Sequence, residues 1–292
     1  VAEATALIHE WSGCDAVGVR LKEGEDYPYY ETKGVPSEFV EAERCLCEVN
    51  EDGEYVRDPK GNPVLECMCG NVIRGQADSS LPFFTENGSF WTNSTTELLA
   101  STSEDERQAR TRNTCQEKGY ESVALIPLRH GAETLGLLQL NNKENNRFTQ
   151  EEIHLLERLA DHLAVGLADR QAAEERQRNE QKFRNIFEYA NDAIFILDNE
   201  GCIVEVNQVA CERLSYTRDE LLQMTVQDIN EERITDLLAQ RLETIRKQGE
   251  LVFETVHISK DGTAWPVEVS SRSIEYEGES RILSLARDIS ER

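Results

Sequence analysis

Four of the chain's eight cysteines fall in one stretch, CLCEVNEDGEYVRDPKGNPVLECMCG, as two Cys-x-Cys pairs: Cys45 with Cys47, and Cys67 with Cys69. Thiols this close can exchange a disulfide, hold a soft metal ion, anchor a cofactor or simply pack. In an extended strand the Cα atoms of a Cys-x-Cys pair lie about 6.7 Å apart, near the limit for an unstrained disulfide. Bridges between the pairs are therefore easier than bridges within one. Structural zinc sites more often use Cys-x-x-Cys, whose turn wraps the metal. Between the pairs, EDGEYVRDPKGNP is rich in turn residues and is expected to double the chain back, letting the pairs approach. Three readings stay open at this point: a thiol–disulfide switch, a Zn or Fe–S site on Cys45, Cys47, Cys67 and Cys69, or reduced cysteines without a role.

Little else in the sequence points to chemistry. There is no P-loop, Gly-x-Gly-x-x-Gly, His-Glu-x-x-His or Gly-x-Ser-x-Gly. The fragment is expected not to be an enzyme. A formal charge of −25 over 292 residues argues against direct nucleic-acid binding and against contact with an anionic membrane. No apolar run reaches the roughly 18–20 residues of a membrane span, and no secretory signal is visible. A cytoplasmic location with reduced thiols is expected. The chain starts at Val1 inside a helical pattern and stops at DISER, so it reads as an excised part of a larger protein.

The length suits two domains. CDAVGVRL alternates like a half-buried strand, and Val123–Leu128 with Leu135–Leu140 read as a hairpin. Ser94-x-x-Glu97 and Ser103-x-x-Glu106 can open helices. Thr149 and Glu152 form a capping box with Phe148 and Ile153 as its staple. No Gly or Pro breaks the stretch from there to Ala190 apart from Gly166, and one long helix is expected. Along it Ile153, Leu156, Ala160, Leu163 and Leu167 are spaced as a coiled-coil seam, which turns polar at Arg170, Glu174 and Gln177. An apolar face returns out of phase at Phe183, Ile186 and Phe187. A homodimer through residues 149–190 is expected, with the weak middle able to carry a register change. Farther on, AIFILD and CIVEVN flank the turn Asn199-Glu200-Gly201, a capping box stands at Thr217 and Glu220, and Glu231–Gln248 is helical. Three long strands close the chain, with Trp265, Val267 and Val269 on one face. Cys202 and Cys211 read as small buried hydrophobes.

The segment from Phe183 to Arg292, with FRNIFEYANDAIFILDNEGCIVEVNQVACERLSYTRDELL, three strands and the ending ARDISER, resembles a PAS domain with its C-terminal PAC strands. Residues 1–170, through ESVALIPLRHGAETLGLLQLNN and FTQEEIHLLERLADHLAVGLA, resemble a GAF domain, with residues 171–182 as a helical linker. The cysteine-rich segment and GSFWTNSTTELL resemble a subtype found in sensor kinases of anaerobic bacteria and archaea. The resemblance implies an α+β fold of two antiparallel-sheet sensory domains joined by a long helix. It also implies an input role in signal transduction, with a histidine kinase or other output domain following in the same chain. The rival reading is a dimerisation or protein–protein interaction module with inert cysteines and no ligand. A catalytic GAF relative of the methionine-sulfoxide reductases is the third.

The resemblance places CMCGNVIRGQ at a helix start beside a ligand pocket, where a helix N-terminus favours thiolate at Cys67 and Cys69. It adds haem in the GAF pocket to the open readings, held by Cys45, Cys47, Cys67 or Cys69 or by a His. His130, His154 and His162 are the histidines to consider, the last two on one helix face. Cys115 is a further thiol. In the PAS unit the ligand His of haem-binding relatives and the Asn-Cys-Arg-Phe-Leu motif of flavin photoreceptors are both missing. A small molecule there would meet Phe195, Val204, Leu214 and Trp265. The GAF signature for cyclic nucleotides is also missing.

Overall fold

A computed structural model describes residues 1–107, 112–231 and 235–291. The chain divides into two compact units, Val1–Glu174 and Glu175–Arg292. The first opens with α1 (Ala2–Ser12), β1 (Ala16–Leu21), β2 (Tyr29–Lys33) and α2 (Ser37–Ala42), followed by α3 (Cys67–Ile73), β3 (Phe90–Thr92), α4 (Thr95–Ser101), α5 (Glu104–Arg107) and α6 (Thr114–Glu117). β4 (Ser122–His130), β5 (Glu133–Asn142) and the first part of α7 (Gln150–Glu188), which runs on into the second unit, complete it. The five strands form one antiparallel sheet in the order β2-β1-β5-β4-β3.

Both faces of this sheet are covered, and the difference between them decides what each face can do. One face carries Val17, Val19, Ile126, Leu138 and Leu140, and packs on Ile8 of α1 and on Ile153, Leu156, Ala160 and Ala164 of α7. The other carries Ala16, Val123, Leu125 and Leu137, and packs on Phe39, Leu46, Met68, Cys69, Val72 and Phe90. β1 is an inner strand, between β2 and β5, and is buried on both sides, Arg20 included, so it is not the half-buried strand its alternation suggests.

Local signals work where they were expected. Ser94 caps α4 by accepting from the Glu97 N–H at 3.1 Å. At the start of α7 the Glu152 carboxylate accepts from the Thr149 N–H at 2.8 Å while Thr149 Oγ1 accepts from the Glu152 N–H at 3.3 Å. The side chain of Glu106, in the second expected box, lies outside the described residues.

In the second unit β6 (Ala193–Leu197), β7 (Ile203–Val206), α8 (Gln208–Leu214), α9 (Arg218–Leu221) and α10 (Thr235–Gln248) precede β8 (Glu250–Ile258), β9 (Ala264–Tyr276) and β10 (Glu279–Asp288). The sheet order is β7-β6-β10-β9-β8, again antiparallel throughout. The expected helix Glu231–Gln248 is present from Thr235, and residues 232–234 lie outside the described residues. The main core lies between the sheet and α8, α9 and α10, where Phe195, Leu214, Leu242, Val267 and Val269 meet. A smaller cluster on the outer face joins Phe187, at the end of α7, to Ile194 and Ile196.

The long helix is continuous, but its apolar spacing serves a different end from the one expected. Ile153, Leu156 and Ala160 are fully buried against their own sheet, and Leu163 and Leu167 lean on the same core. The seam is therefore an intradomain stripe. Residues 169–186 are exposed on every side and are laced by the i,i+4 pairs Arg170–Glu174 and Glu180–Arg184.

Candidate functional site

The turn-rich segment does double the chain back. Cys47 pairs with Leu65, Val49 with Tyr55 and Arg57 with Pro63 as antiparallel bridges, and the Glu66 N–H donates to Leu46 O at 2.8 Å. That register brings Cys45 opposite Cys67. Arg112 secures the junction by donating to Cys45 O at 2.8 Å and to the Glu66 carboxylate. The four thiols nevertheless do not form one cage. All eight cysteines are free. Cys45 and Cys47 gather on Asp26, in the loop between β1 and β2, and their ligand atoms with a carboxylate oxygen all lie within 4.8 Å of one another. Cys67 and Cys69 go elsewhere. Cys67 takes a left-handed backbone, φ 67°, that starts α3 and carries the pair to the sheet. A residue with a Cβ is uncommon in that conformation.

There Cys67, Cys69 and Cys115 line a cleft of about 520 Å³, with Met68, Phe90, Leu98, Val123 and Leu125 as its apolar wall. Buried Gln139 of β5 links two of these thiols, with Oε1 4.0 Å from Cys69 Sγ and Nε2 3.8 Å from Cys115 Sγ. The Tyr29 hydroxyl donates to Gln139 Oε1 at 2.8 Å, and fully buried Arg20 stacks on the Tyr29 ring at 3.7 Å. Arg107 also borders the cleft, and its buried Nε has no hydrogen-bond partner among the described residues.

The helix start does not make thiolates. Burial raises the pKa of Cys67, and it raises those of Cys69 and Cys115 further, with Cys67 disfavouring charge on Cys69 and both disfavouring it on Cys115. α3 spans only Cys67–Ile73, too short for its dipole to offset that desolvation. Cys45 is likewise pushed up by burial and by Asp26, and Cys47 is pushed up to about 12 by the same causes. Burial works against the Asp26 carboxylate, but hydrogen bonds from the Cys45 thiol and from backbone N–H groups hold its pKa below the ordinary value. The histidines expected as ligands are misplaced for the cleft. His154 and His162 are exposed on α7, across the sheet from the thiols, and His130 is exposed at the β4–β5 turn.

The second unit holds a narrow cavity between its sheet and α10. Phe195 lines it, as expected. Leu214 and Trp265 border a separate, smaller crevice, and Val204 lines neither. The polar members escaped the sequence reading: Arg241, stacked on Phe253 at 3.8 Å, the paired hydroxyls of Ser271 and Ser284 at 2.8 Å, and His257. His257 is buried, its ring edge-on to Phe195 at 6.0 Å, and desolvation lowers its pKa to about 4. Cys211 is buried as expected, whereas Cys202 is exposed at the β6–β7 turn.

The model of the GAF domain matches residues 2–167, more than half of the chain. The chain belongs to the GAF domain family. A PAS domain model matches residues 191–291, so the GAF domain is followed by a PAS domain. A methyl sulfide methyltransferase-associated sensor from Methanosarcina acetivorans is 31% identical over 183 residues, covering 62% of this chain and 18% of its own length. The chain thus spans less than a fifth of that curated relative. Among solved structures, the PAS domain of an HTR-like protein from Haloarcula marismortui is 28% identical, with 41% of this chain and 99% of that one covered and a TM-score of 0.39. A domain of a sensory box sensor histidine kinase/response regulator from Geobacter sulfurreducens is 32% identical, with 38% and 94% covered and a TM-score of 0.34. The chain is therefore the sensory GAF–PAS input of a signalling protein. Within the GAF domain the candidate surfaces are the three-thiol cleft on one sheet face and the Asp26 group at the root of the hairpin. Cys115 carries no local sequence signal of membership in the cleft. Asp26 could have been found only by asking which acid the returning strand must meet.

Proposed function

We propose that this fragment is the input region of a two-component histidine kinase, and that the GAF cleft of Cys67, Cys69 and Cys115 is where the stimulus acts. The observation that supports this most is the placement of three thiols on the wall of one apolar cleft. The cleft lies on the sheet face opposite α7, so a change in its occupant or oxidation state is felt by the helix through the strands. The raised thiol pKa values disfavour direct attack on peroxide by free thiolates at neutral pH. They favour a bound apolar ligand or prosthetic group as the primary receiver. A haem-type group fits as far as the residues go: apolar walls, sulfur at hand and the Arg107 Nε, which has no partner among the described residues, for an acidic edge. The sulfurs, not His154 or His162, would then hold its metal.

Transmission would run along α7, which docks on the GAF sheet by Ile153, Leu156 and Ala160 and ends at Phe187 on the PAS sheet. A helix exposed all round with Phe183 and Ile186 outward is stable mainly when paired. A homodimer is the reading that covers it, together with the apolar groove of Leu7, Trp11, Leu155, Leu159 and Leu163 beside His162. No helix among the described residues is long and apolar enough to cross a membrane.

The test is phosphorylation by the longer parent chain under reducing and oxidising conditions, with the absorption spectrum recorded on protein prepared without oxygen. In the Cys67→Ser/Cys69→Ser/Cys115→Ser variant the difference between the two conditions should vanish while the protein stays folded. An unchanged response would favour the rival reading, a dimerisation module with inert cysteines, which the high thiol pKa values also suit.

A further inference from the structure

We infer that Asp26, Cys45 and Cys47 form a zinc site with one open coordination position, separate from the cleft and independent of its reading. Two thiol sulfurs and a carboxylate oxygen lie mutually within 4.8 Å. Around a tetrahedral zinc with Zn–S of about 2.3 Å and Zn–O of about 2.0–2.2 Å, donor atoms stand roughly 3.4–3.8 Å apart. A contraction of no more than about 1.0–1.4 Å between donors therefore closes the site.

The ligands are also held in place. Asp26 Oδ1 accepts from the Leu46 N–H at 3.0 Å and the Cys47 N–H at 3.2 Å, which fixes the carboxylate and leaves Oδ2 to bind. Such bonds to a ligating carboxylate are what orients metal ligands elsewhere. Cys45 and Cys47 are two apart in an extended segment, so both side chains face Asp26. They are not bonded to each other.

The donor set selects the metal. Two thiolates with one carboxylate suit zinc, whereas calcium and magnesium want oxygen donors only. An Fe–S cluster needs four Cys or His ligands, and this group offers two cysteines, since Cys67 and Cys69 line the cleft instead. Binding expels the two thiol protons and leaves the ensemble of Zn²⁺, two thiolates and one carboxylate with a charge of −1. Arg57 lies near Cys47 but is held in an ion pair with Glu25 at 2.8 Å, so that charge stays with the site. Among the described residues no fourth His, Cys, Asp or Glu joins this group. The remaining position is left for water or an incoming thiol or sulfide.

The test is titration of the reduced 292-residue protein with Co²⁺ and Zn²⁺ in the absence of oxygen. One Co²⁺ per chain should bind, with a thiolate-to-cobalt charge-transfer band and visible d–d bands of tetrahedral intensity, and zinc should displace it. Cys45→Ser, Cys47→Ser and Asp26→Asn should each weaken binding by at least about tenfold. Cys67→Ser/Cys69→Ser should leave it unchanged. Asp26→Asn keeps the carbonyl acceptor for the two N–H groups, and Cys45 is only half buried, so these variants report even where Cys47→Ser fails to fold. Absence of stoichiometric binding, or binding that survives Cys45→Ser and Asp26→Asn, overturns the inference. Binding lost equally in Cys67→Ser/Cys69→Ser would overturn it in favour of a four-cysteine site. Only that last outcome, which would take Cys67 and Cys69 out of the cleft wall, also bears on whether the cleft receives the stimulus.

Discussion

Asn207 is the side chain on which the entry from α7 into the PAS sheet depends, and its removal should be costly. It is fully buried at the start of α8. Its Oδ1 accepts from the Ile194 N–H at 2.9 Å and from the Ala210 N–H at 3.1 Å. Its Nδ2 donates to Phe187 O at 3.0 Å and Asp192 O at 3.1 Å. One amide thus ties the last turn of the long helix, the first PAS strand and the helix that follows. In Asn207→Ala the lost cap costs about 1 kcal/mol. The Ile194 N–H and two carbonyls also lose their partner, at about 1–3 kcal/mol each where water cannot reach. Taking the lower end for the carbonyls at the helix end, the sum is roughly 4 kcal/mol, a large share of a domain's stability. The PAS melting temperature should fall by roughly 15–20 °C. Asn207→Asp separates the two halves of this account. It keeps both accepted bonds but sets a carboxylate against two carbonyl oxygens, so its pKa should rise and its deficit should shrink as the pH falls toward 4. The alanine deficit should stay flat. The assay is urea unfolding followed by Trp265 fluorescence with Trp11 and Trp91 replaced by Phe, each variant compared with wild type at the same pH. An alanine cost below about 1 kcal/mol, or an aspartate deficit indifferent to pH, would refute the reasoning.

Three further outcomes follow from the same structure. His257 titrates at its ordinary 6.5 when unfolded and at about 4 when folded. The stability it contributes is therefore complete above pH 6.5 and lost as the pH falls toward 4, by roughly 3 kcal/mol. His257→Gln should lack that slope in urea midpoints, and equal slopes would contradict the buried neutral ring. At Gly70 of α3 a Cβ would stand 2.6 Å from Leu65 Cβ and 2.7 Å from Leu65 O. Gly70→Ala should cost about 1–3 kcal/mol and speed the reaction of Cys67 and Cys69 with a thiol reagent, because helix and hairpin must part. Unchanged reactivity would mean that their contact does not shield the cleft. Leu159→Glu, in the groove beside Trp11, should halve the mass seen by sedimentation if the dimer uses that groove, whereas Ile153→Ala should destabilise the GAF domain by about 2–5 kcal/mol.

Where the pattern was local, the sequence was readable. The Thr149–Glu152 and Thr217–Glu220 boxes form between near neighbours, and both are seen. The β4–β5 hairpin and the three closing strands were legible for the same reason, since alternation and turn residues lie within a few positions. What was not legible depends on which partner a face meets. Ile153, Leu156 and Ala160 have the spacing of a coiled-coil seam whether the surface opposite is a second helix or the chain's own sheet. Nothing within α7 distinguishes the two. His154 and His162 share a face, but the stripe that docks on the sheet lies on another side of the helix and turns them to solvent.

The thiols show the same limit at closer range. Both pairs are written Cys-x-Cys, and pairing Cys47 with Leu65 brings them side by side. The backbone then treats them differently. Extended geometry keeps Cys45 and Cys47 on one side, facing an acid that lies about twenty residues earlier in the chain, and a single left-handed residue at Cys67 turns the second pair into a helix. In a helix, residues two apart do not share a face. Cys67 and Cys69 therefore approach the cleft from different angles and meet Cys115 there instead of each other's counterparts. Identical spacing thus produces two different surroundings, a compact group of two thiols on a carboxylate and a sulfur-lined apolar wall. The difference originates in one backbone torsion that no composition or periodicity records.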